Sequence, residues 1–233
     1  MQLSAPVRSW LVVTALLPLL ALGCEPSPRS AAADVPATDV RRLPNERKVG
    51  LRDVMMEAAD LGRVIGSDSA PVKLMVVSDY QCDSCRIWFE TALPVIRSEY
   101  IATGKARLTW VHYPLRQHPA AVRAASAALC ASVQGKFWEA SARLFSAQQQ
   151  WGPATRPERI IDTLAVVPGI ESFTLQNCID SDRMLRQIRR DIDWTDTVKA
   201  GAPLRILFGR RQLSGATQIG ALRSALDSAV SGR

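Results

Sequence analysis

The chain has 233 residues, 47% of them apolar, which is enough for one globular domain of ordinary size with additional segments. Its formal net charge is +7, but the basic residues are scattered along the sequence. The densest basic stretch, Arg183 to Arg190, is mixed with Asp182, Asp191 and Asp193. This pattern is typical of a solvent-exposed helix face and not of a nucleic-acid-binding surface, so we expect no nucleic-acid partner.

The first residues have the features of a targeting segment. Arg8 precedes Trp10–Leu22, an apolar run of about thirteen residues. This run is too short to span a bilayer, which needs roughly 20 residues. It ends in small residues followed by Cys24, and this resembles a bacterial lipoprotein signal, in which the cysteine is diacylated and becomes the mature N-terminus. We predict a signal peptide over residues 1–23 and lipidation of Cys24; the alternative is an ordinary cleaved signal peptide with an incidental Cys24.

The segment after Cys24 has the composition of an unfolded chain. Residues 25–47 contain four Pro, several Ala and Ser, and no apolar periodicity. We therefore predict a lipid-anchored flexible tether and lead-in over residues 24–60, followed by the folded domain over residues 61–233. This organisation implies an extracytoplasmic location, in the periplasm or cell envelope, with the domain attached to a membrane through its lipid.

The folded domain is predicted to start with a buried strand followed by a helix. Val72–Val77 is a short apolar run with strand composition. Residues 78–81 carry the chain away from this strand, and Cys82 opens the helix. Its apolar positions recur at helical spacing and are Cys85, Phe89, Leu93, Ile96 and Tyr100. Pro94 lies inside this helix and should kink it.

The remaining pattern predicts a strand, a helical block, two short strands and a final helix. The next strand is Ala106–Tyr113, and Pro119–Thr197 is almost entirely helical in pattern. The last elements are strands at Leu204–Phe208 and Arg211–Leu213 and a helix at Ile219–Val230. A parallel first half and a hairpin second half predict an α/β domain with one mixed central sheet. This is the layout of the thioredoxin fold, with a helical subdomain inserted at about 118–180.

The five cysteines can be grouped by their spacing and by whether an even number is available for disulfides. If Cys24 is lipidated, four remain in a compartment that permits disulfides. Cys82 and Cys85 form one pair; Cys130 and Cys178 would form the other, and two buried free thiols are the alternative. A zinc site usually needs a second Cys or His pair at similar spacing, which His112 and His118, six residues apart, do not provide. We predict no metal and no cofactor.

Several motifs resemble those of one family. Residues 78–85, Ser-Asp-Tyr-Gln-Cys-Asp-Ser-Cys, resemble the active-site signature of the DsbA-like branch of the thioredoxin superfamily. Gly66–Pro71, Pro114–Pro119 and Gly135–Trp138 are also similar, so the resemblance covers about residues 61 to 230. It implies a thiol–disulfide oxidoreductase acting on cysteine-containing proteins. It also implies that Cys130–Cys178 is a structural disulfide.

The resemblance assigns a role to each residue of the redox site. Cys82 would form a mixed disulfide with a substrate cysteine, and Cys85, one helical turn away, would resolve it. The helix N-terminus favours the Cys82 thiolate, because unpaired N–H groups and the helix dipole stabilise a negative charge there. Pro203, preceded by Ala202, would be a cis-proline that faces the pair and leaves the preceding backbone free to bind an extended substrate.

Three features depart from the family pattern. Asp83-Ser84 stands between the cysteines, and an acidic side chain beside Cys82 should raise its pKa and make the pair less oxidising. Val76 occupies a position where close relatives often have a buried Glu. Ala202 and Arg205 flank Pro203 in place of the residues common in relatives.

Three functional hypotheses remain at the level of sequence. The resemblance favours disulfide formation with re-oxidation by a membrane redox partner, whereas Asp83 favours the reducing direction. A thioredoxin-fold binding module or chaperone with weak or no redox activity is the alternative from another class. A purely structural Cys82–Cys85 bridge is the third, but such a small loop stabilises little.

Overall fold

The computed structural model describes residues 54–215 and 218–232, and within them the chain forms a five-stranded mixed sheet. The strands are β1 (Val64–Ile65), β2 (Val72–Ser78), β3 (Ala106–His112), β4 (Arg205–Phe208) and β5 (Arg211–Ser214). Their order across the sheet is β1-β3-β2-β4-β5. The predicted α/β class and mixed sheet are confirmed: β2 runs parallel to β3 and antiparallel to β4. Strand β2 is therefore central, which explains its near-continuous apolar sequence.

Helices cover the sheet and form the inserted block. They are α1 (Val54–Gly62), α2 (Asp83–Ile96), α3 (Ala121–Val133), α4 (Phe137–Ser146), α5 (Gln148–Trp151), α6 (Pro157–Ala165), α7 (Ser172–Asp180), α8 (Leu185–Thr197) and α9 (Ile219–Val230). The predicted helical insertion corresponds to α3–α7. None of the helices in the described ranges is long and apolar enough to cross a membrane.

Helix α2 positions the two cysteines, and it passes through Pro94 without ending there. Proline lacks an N–H, so it cannot make the usual helical hydrogen bond. The helix continues to Ile96 and then widens into a π-helical turn, Arg97–Ile101, where the N–H of Ala102 donates to the carbonyl of Arg97. The predicted irregularity therefore takes the form of a change in helical winding shortly after Pro94.

Small side chains and one disulfide hold the helical block together. Helix α3 is rich in alanine and buried along most of its length, which lets neighbouring helices approach closely. Cys130 on α3 is bonded to Cys178 on α7, with a Cα–Cα distance of 5.7 Å. The alternative of two buried free thiols is therefore wrong.

The packed part of the chain begins before the predicted boundary at residue 61. Helix α1 starts at Val54, and its Met56 and Ala59 are buried. The hydroxyl of Ser132 on α3 donates to the carbonyl of Ala59. A side chain at Gly62 would bring a Cβ within 2.2 Å of Ser132 Oγ, so glycine permits this close approach. The predicted signal peptide, the lipidation site Cys24 and residues 25–53 lie outside the described residues.

One charge that we expected on a solvent-exposed helix face is buried. Asp191 on α8 is 5% exposed, and its Oδ2 lies 2.5 Å from Nη1 of Arg63 and 3.1 Å from Nδ1 of His112. Burial by itself would raise the pKa of Asp191, but the charges and hydrogen bonds of Arg63 and His112 hold it below its usual value. The expectation was wrong because the counter-charge, Arg63, comes from a distant part of the sequence.

Candidate redox site

The chain between β2 and α2 places the two cysteines in different environments. The N–H of Gln81 donates to Oδ1 of Asp79 (2.7 Å), and the N–H of Cys82 donates to the Asp79 carbonyl (3.2 Å). This turn leaves Cys82 at the N-cap of α2 with extended backbone angles. Cys82 is partly exposed, whereas Cys85 is completely buried one turn later. They are the free cysteines of the described residues.

The surroundings of the two cysteines favour a thiolate at Cys82 and a protonated thiol at Cys85. A hydrogen bond from the Cys85 thiol, assisted by the Ser84 hydroxyl at 3.1 Å, lowers the pKa of Cys82 to about 6. Burial and the negative charge of Asp79 oppose this shift. Burial and the nearby Cys82 charge raise the pKa of Cys85. Near neutral pH, Cys82 is therefore the thiolate and Cys85 remains a thiol.

The expected rise in the pKa of Cys82 is wrong in direction. Oδ1 of Asp83 accepts a hydrogen bond from Nε2 of Gln149 at 2.9 Å. The carboxylate that opposes the Cys82 thiolate is Asp79, and its effect is smaller than that of the hydrogen bond from Cys85. The pKa of Cys82 is consequently lowered despite the acidic dipeptide.

Glutamine side chains connect the cysteine loop to the helical block. Nε2 of buried Gln148 donates to the carbonyls of Tyr80 (2.7 Å) and Cys82 (3.1 Å). Gln81 donates to the carbonyl of Gly152 and accepts from the N–H of Ala120 (2.9 Å). Gln81 belongs to the motif of residues 78–85, but Gln148 was missed at the level of sequence; the signal that could have indicated it is the Gln148–Gln150 run at the end of the helical pattern.

Asp79 and His118 form a second polar pair beside Cys82. The side chain of Asp79 is completely buried, and its Oδ2 accepts from the N–H of Leu115 at 2.8 Å. Nδ1 of His118 lies 2.8 Å from the same oxygen, and this hydrogen bond raises the pKa of His118. The sequence suggested His118 only as a poor zinc ligand. No group of three or more His, Cys, Asp or Glu side chains suited to a metal ion occurs in the described ranges.

The predicted cis bond ahead of Pro203 is wrong. It was expected there from the family resemblance, but the cis peptide bond lies between Pro203 and Leu204. Here the chain turns so that Leu204 enters the core, and its carbonyl accepts from the N–H of Gly215 at 2.9 Å. A Cβ at Gly215 would lie 1.9 Å from Cγ of Leu204, so this contact requires glycine.

The departure at Val76 leaves the sheet beneath the site apolar. Val76 is completely buried and pairs with Trp110 on one side and Ile206 on the other. Polar groups reach Cys85 from the end of β2 instead. The N–H of Asp79 lies 3.4 Å from its Sγ, and this backbone hydrogen bond moderates the rise in its pKa.

A cavity of about 460 Å³ opens beside the cysteine helix. One wall is the face of α2 that carries Ser84, Ile87 and Trp88, and the other includes Gly215 and Ile219. Ile87 is 52% exposed although it is apolar. The cavity therefore presents apolar surface next to the dipeptide between the cysteines.

A mixed sheet with a C-x-x-C pair at the start of a helix defines the thioredoxin class of fold and site. The family model described as Thioredoxin matches residues 59–227. The chain therefore belongs to the thioredoxin family, and its similarities lie within the DsbA-like branch. The resemblance given by the sequence motifs is confirmed.

The proteins of similar sequence include a disulfide bond formation protein and a membrane antiporter. The probable disulfide bond formation protein D of Bacillus anthracis is 27% identical over 143 residues, 60% of this chain and 66% of that protein. The Na(+)/H(+) antiporter NhaA 3 of Salinispora tropica is 31% identical over 206 residues, 86% of this chain. The match spans only 30% of the antiporter, so the similarity concerns a part of that protein.

Solved structures share the fold. BdbD from Bacillus subtilis, in its oxidised form, has a TM-score of 0.66 at 21% identity, covering 74% of this chain and 95% of BdbD. DsbA from Chlamydia trachomatis has a TM-score of 0.63 at 19% identity, covering 79% of this chain and 96% of that one. Both include a thioredoxin fold with a helical insertion, as predicted here.

Proposed function

We propose that this protein is an extracytoplasmic thiol–disulfide oxidoreductase that exchanges disulfides with protein cysteines through Cys82 and Cys85. The observation that carries this proposal is the asymmetry of the pair: an accessible, stabilised thiolate lies one helical turn from a buried thiol. A thiolate is the reactive species in disulfide exchange, and a second thiol within reach completes the exchange without a third molecule.

In the disulfide-forming direction, a substrate thiolate attacks Sγ of Cys82 in the Cys82–Cys85 disulfide. The bond between the two cysteines breaks, and Cys85 leaves and takes up a proton, which its raised pKa favours. A second substrate thiolate then attacks the substrate sulfur of the mixed disulfide, and Cys82 leaves as a thiolate. Two electrons pass from the substrate dithiol to the cysteine pair, and the substrate gains a disulfide.

Disulfide formation is the direction that the thiolate favours. The lowered pKa of Cys82 stabilises the reduced pair, and a stabilised reduced form makes a disulfide a stronger oxidant. The names of the Bacillus relatives, disulfide bond formation protein D, support the same direction. The reduced pair then needs a partner that removes two electrons, and we assign this step to a redox protein of the membrane.

The cavity beside Ser84 is the proposed contact surface for substrates. Its apolar wall, including the exposed Ile87, suits an extended peptide with apolar side chains next to its cysteine.

Location at the membrane is proposed through lipidation of Cys24. The antiporter relative supports it, since a region similar to this chain occurs within a membrane transporter there. Metabolic labelling with a fatty acid should mark the protein and fail to mark Cys24→Ala.

Single cysteine variants test the function. Cys82→Ser should abolish both insulin reduction and oxidation of a dithiol peptide, because the attacking sulfur is lost. In Cys85→Ser, Cys82 can still attack a substrate disulfide, but the protein has no second thiol at the site to resolve the mixed disulfide. Mixed disulfides should therefore accumulate, which non-reducing gels detect. Retention of both activities by Cys82→Ser would overturn the proposal, and unchanged binding of unfolded clients without exchange by the wild type would indicate a binding module.

A further inference from the structure

The loop over residues 115–120 is fastened to the turn that precedes Cys82. Three hydrogen bonds join them: Leu115 N–H to Asp79, His118 Nδ1 to Asp79, and Ala120 N–H to Gln81. The Asp79 carbonyl in turn accepts from the N–H of Cys82. The imidazole of His118 is thus fixed beside the start of α2, with 22% of its side chain exposed.

Negative groups surround this imidazole. From the turn after β2 it faces the buried carboxylate of Asp79, and from α2 it faces the charges of Cys82 and Asp83. Arg86, the next cation along α2, is already engaged by Glu90 at 3.0 Å and by Gln148 at 3.2 Å. Two carboxylates and a thiolate in one place repel each other unless a positive charge lies among them.

We propose that His118, protonated on the buried carboxylate of Asp79, is a positioning residue that stabilises the Cys82 thiolate. It supplies the positive charge that offsets Asp79 and Asp83, a role that the dipeptide between the cysteines cannot fill. The inference rests on the proposed redox function of Cys82 and adds a residue to it. Because coupling between two sites is reciprocal, a Cys82 charge that favours protonated His118 is itself favoured by His118 to the same extent.

This coupling makes the protonation of His118 depend on the redox state. In the reduced protein the thiolate is present and His118 holds its proton tightly. In the Cys82–Cys85 disulfide, or in a mixed disulfide, Cys82 carries no charge and that part of the stabilisation disappears. The pKa of His118 should therefore be higher in the reduced protein than in the oxidised protein.

Two substitutions of His118 separate the effect of its positive charge from the effect of its hydrogen bond to Asp79. His118→Gln keeps a side-chain N–H that can donate to Asp79 but removes the charge, whereas His118→Ala removes both. The rate of alkylation by iodoacetamide as a function of pH reports the Cys82 pKa. We expect this pKa to rise by about one unit in both variants. Arg210→Gln, which removes a positive charge from an exposed turn, should leave it unchanged.

The second readout is the titration of His118 by NMR, with His112, the only other histidine, distinguished by the His118→Gln spectrum. The pKa of His118 should fall on oxidation and in Cys82→Ser. An unchanged Cys82 pKa in His118→Gln, or identical His118 titrations in the two redox states, would overturn the inference. Neither measurement needs a substrate, so an inactive wild type that still shows the coupling would refute only the proposed function.

Discussion

Cys82 and Cys85 share a helix but differ in exposure, hydrogen bonding and charge. Their spacing was visible in the sequence, whereas the direction of the Cys82 pKa shift was not. Asp83 is adjacent in sequence, yet its carboxylate is bonded to Gln149, and the carboxylate that acts on Cys82 is Asp79. The sequence therefore predicted the wrong direction for the pKa shift of Cys82, because the orientation of the Asp83 side chain depends on a residue more than sixty positions away.

The pH dependence of the reduction potential tests the thiolate. Reduction of the pair takes up two protons below the Cys82 pKa of about 6 and one proton above it. For a two-electron couple, each proton contributes about 30 mV per pH unit. The midpoint potential should therefore fall by about 59 mV per unit below that pH and by about 30 mV above it. Measurement against glutathione buffers would show this break, and a single steep slope up to about pH 8 would contradict the lowered pKa.

At the scale of elements, local patterns predicted most of what the structure shows. The helical spacing of Leu222 and Leu226 predicted the limits of α9, and the apolar run Val72–Val77 predicted strand β2. Helix α1 was missed because its sequence follows a long polar segment and its stability comes from packing on α3. The close contact of Leu204 with Gly215 also could not be predicted, because it joins residues that flank two different strands.

The disulfide between α3 and α7 should stabilise the helical block without taking part in exchange. It closes a loop with a sequence separation of 48, for which the chain-entropy model gives about 4 kcal/mol. Replacing Cys130 and Cys178 together by alanine should lower the free energy of unfolding in urea by about this amount. Peptide oxidation by the folded variant should continue at a rate close to that of the wild type; loss of activity without loss of folding would show that this bridge takes part in the reaction.

At the scale of the whole molecule, one buried ionic network connects three distant parts of the chain. Arg63 follows α1 and bonds to the Trp110 carbonyl of β3 and to Asp191 of α8. Asp191 also accepts from the N–H of His112 at the end of β3. No local pattern predicts such a network, since its members are separated by up to 128 positions. It joins the residue that follows α1 to strand β3 and to helix α8.

Asp191→Asn should destabilise the protein by about 3 kcal/mol, because it removes the buried counter-charge of Arg63 and leaves the guanidinium paired with the partly exposed Asp60. Because Asp191 has a lowered pKa in the folded state, its contribution in the wild type is present above the unfolded pKa and is lost as pH falls through the folded pKa. The unfolding free energy of the variant should therefore depend less on acid pH. The double variant Arg63→Met/Asp191→Leu should recover much of the loss, and a double variant as unstable as Asp191→Asn would contradict this explanation.

The burial of Cys130 and Cys178 has a consequence for a population of these molecules. Every copy presents a nucleophilic Cys82 to its neighbours, and every copy also carries a disulfide of the kind that such a sulfur attacks. Cys130 is 1% exposed and Cys178 is 4% exposed, so an approaching sulfur cannot line up with the bond between them. The interior of the helical block thereby protects the Cys130–Cys178 bond from the Cys82 thiolate of another copy, whereas accessible cysteines of other chains remain open to attack.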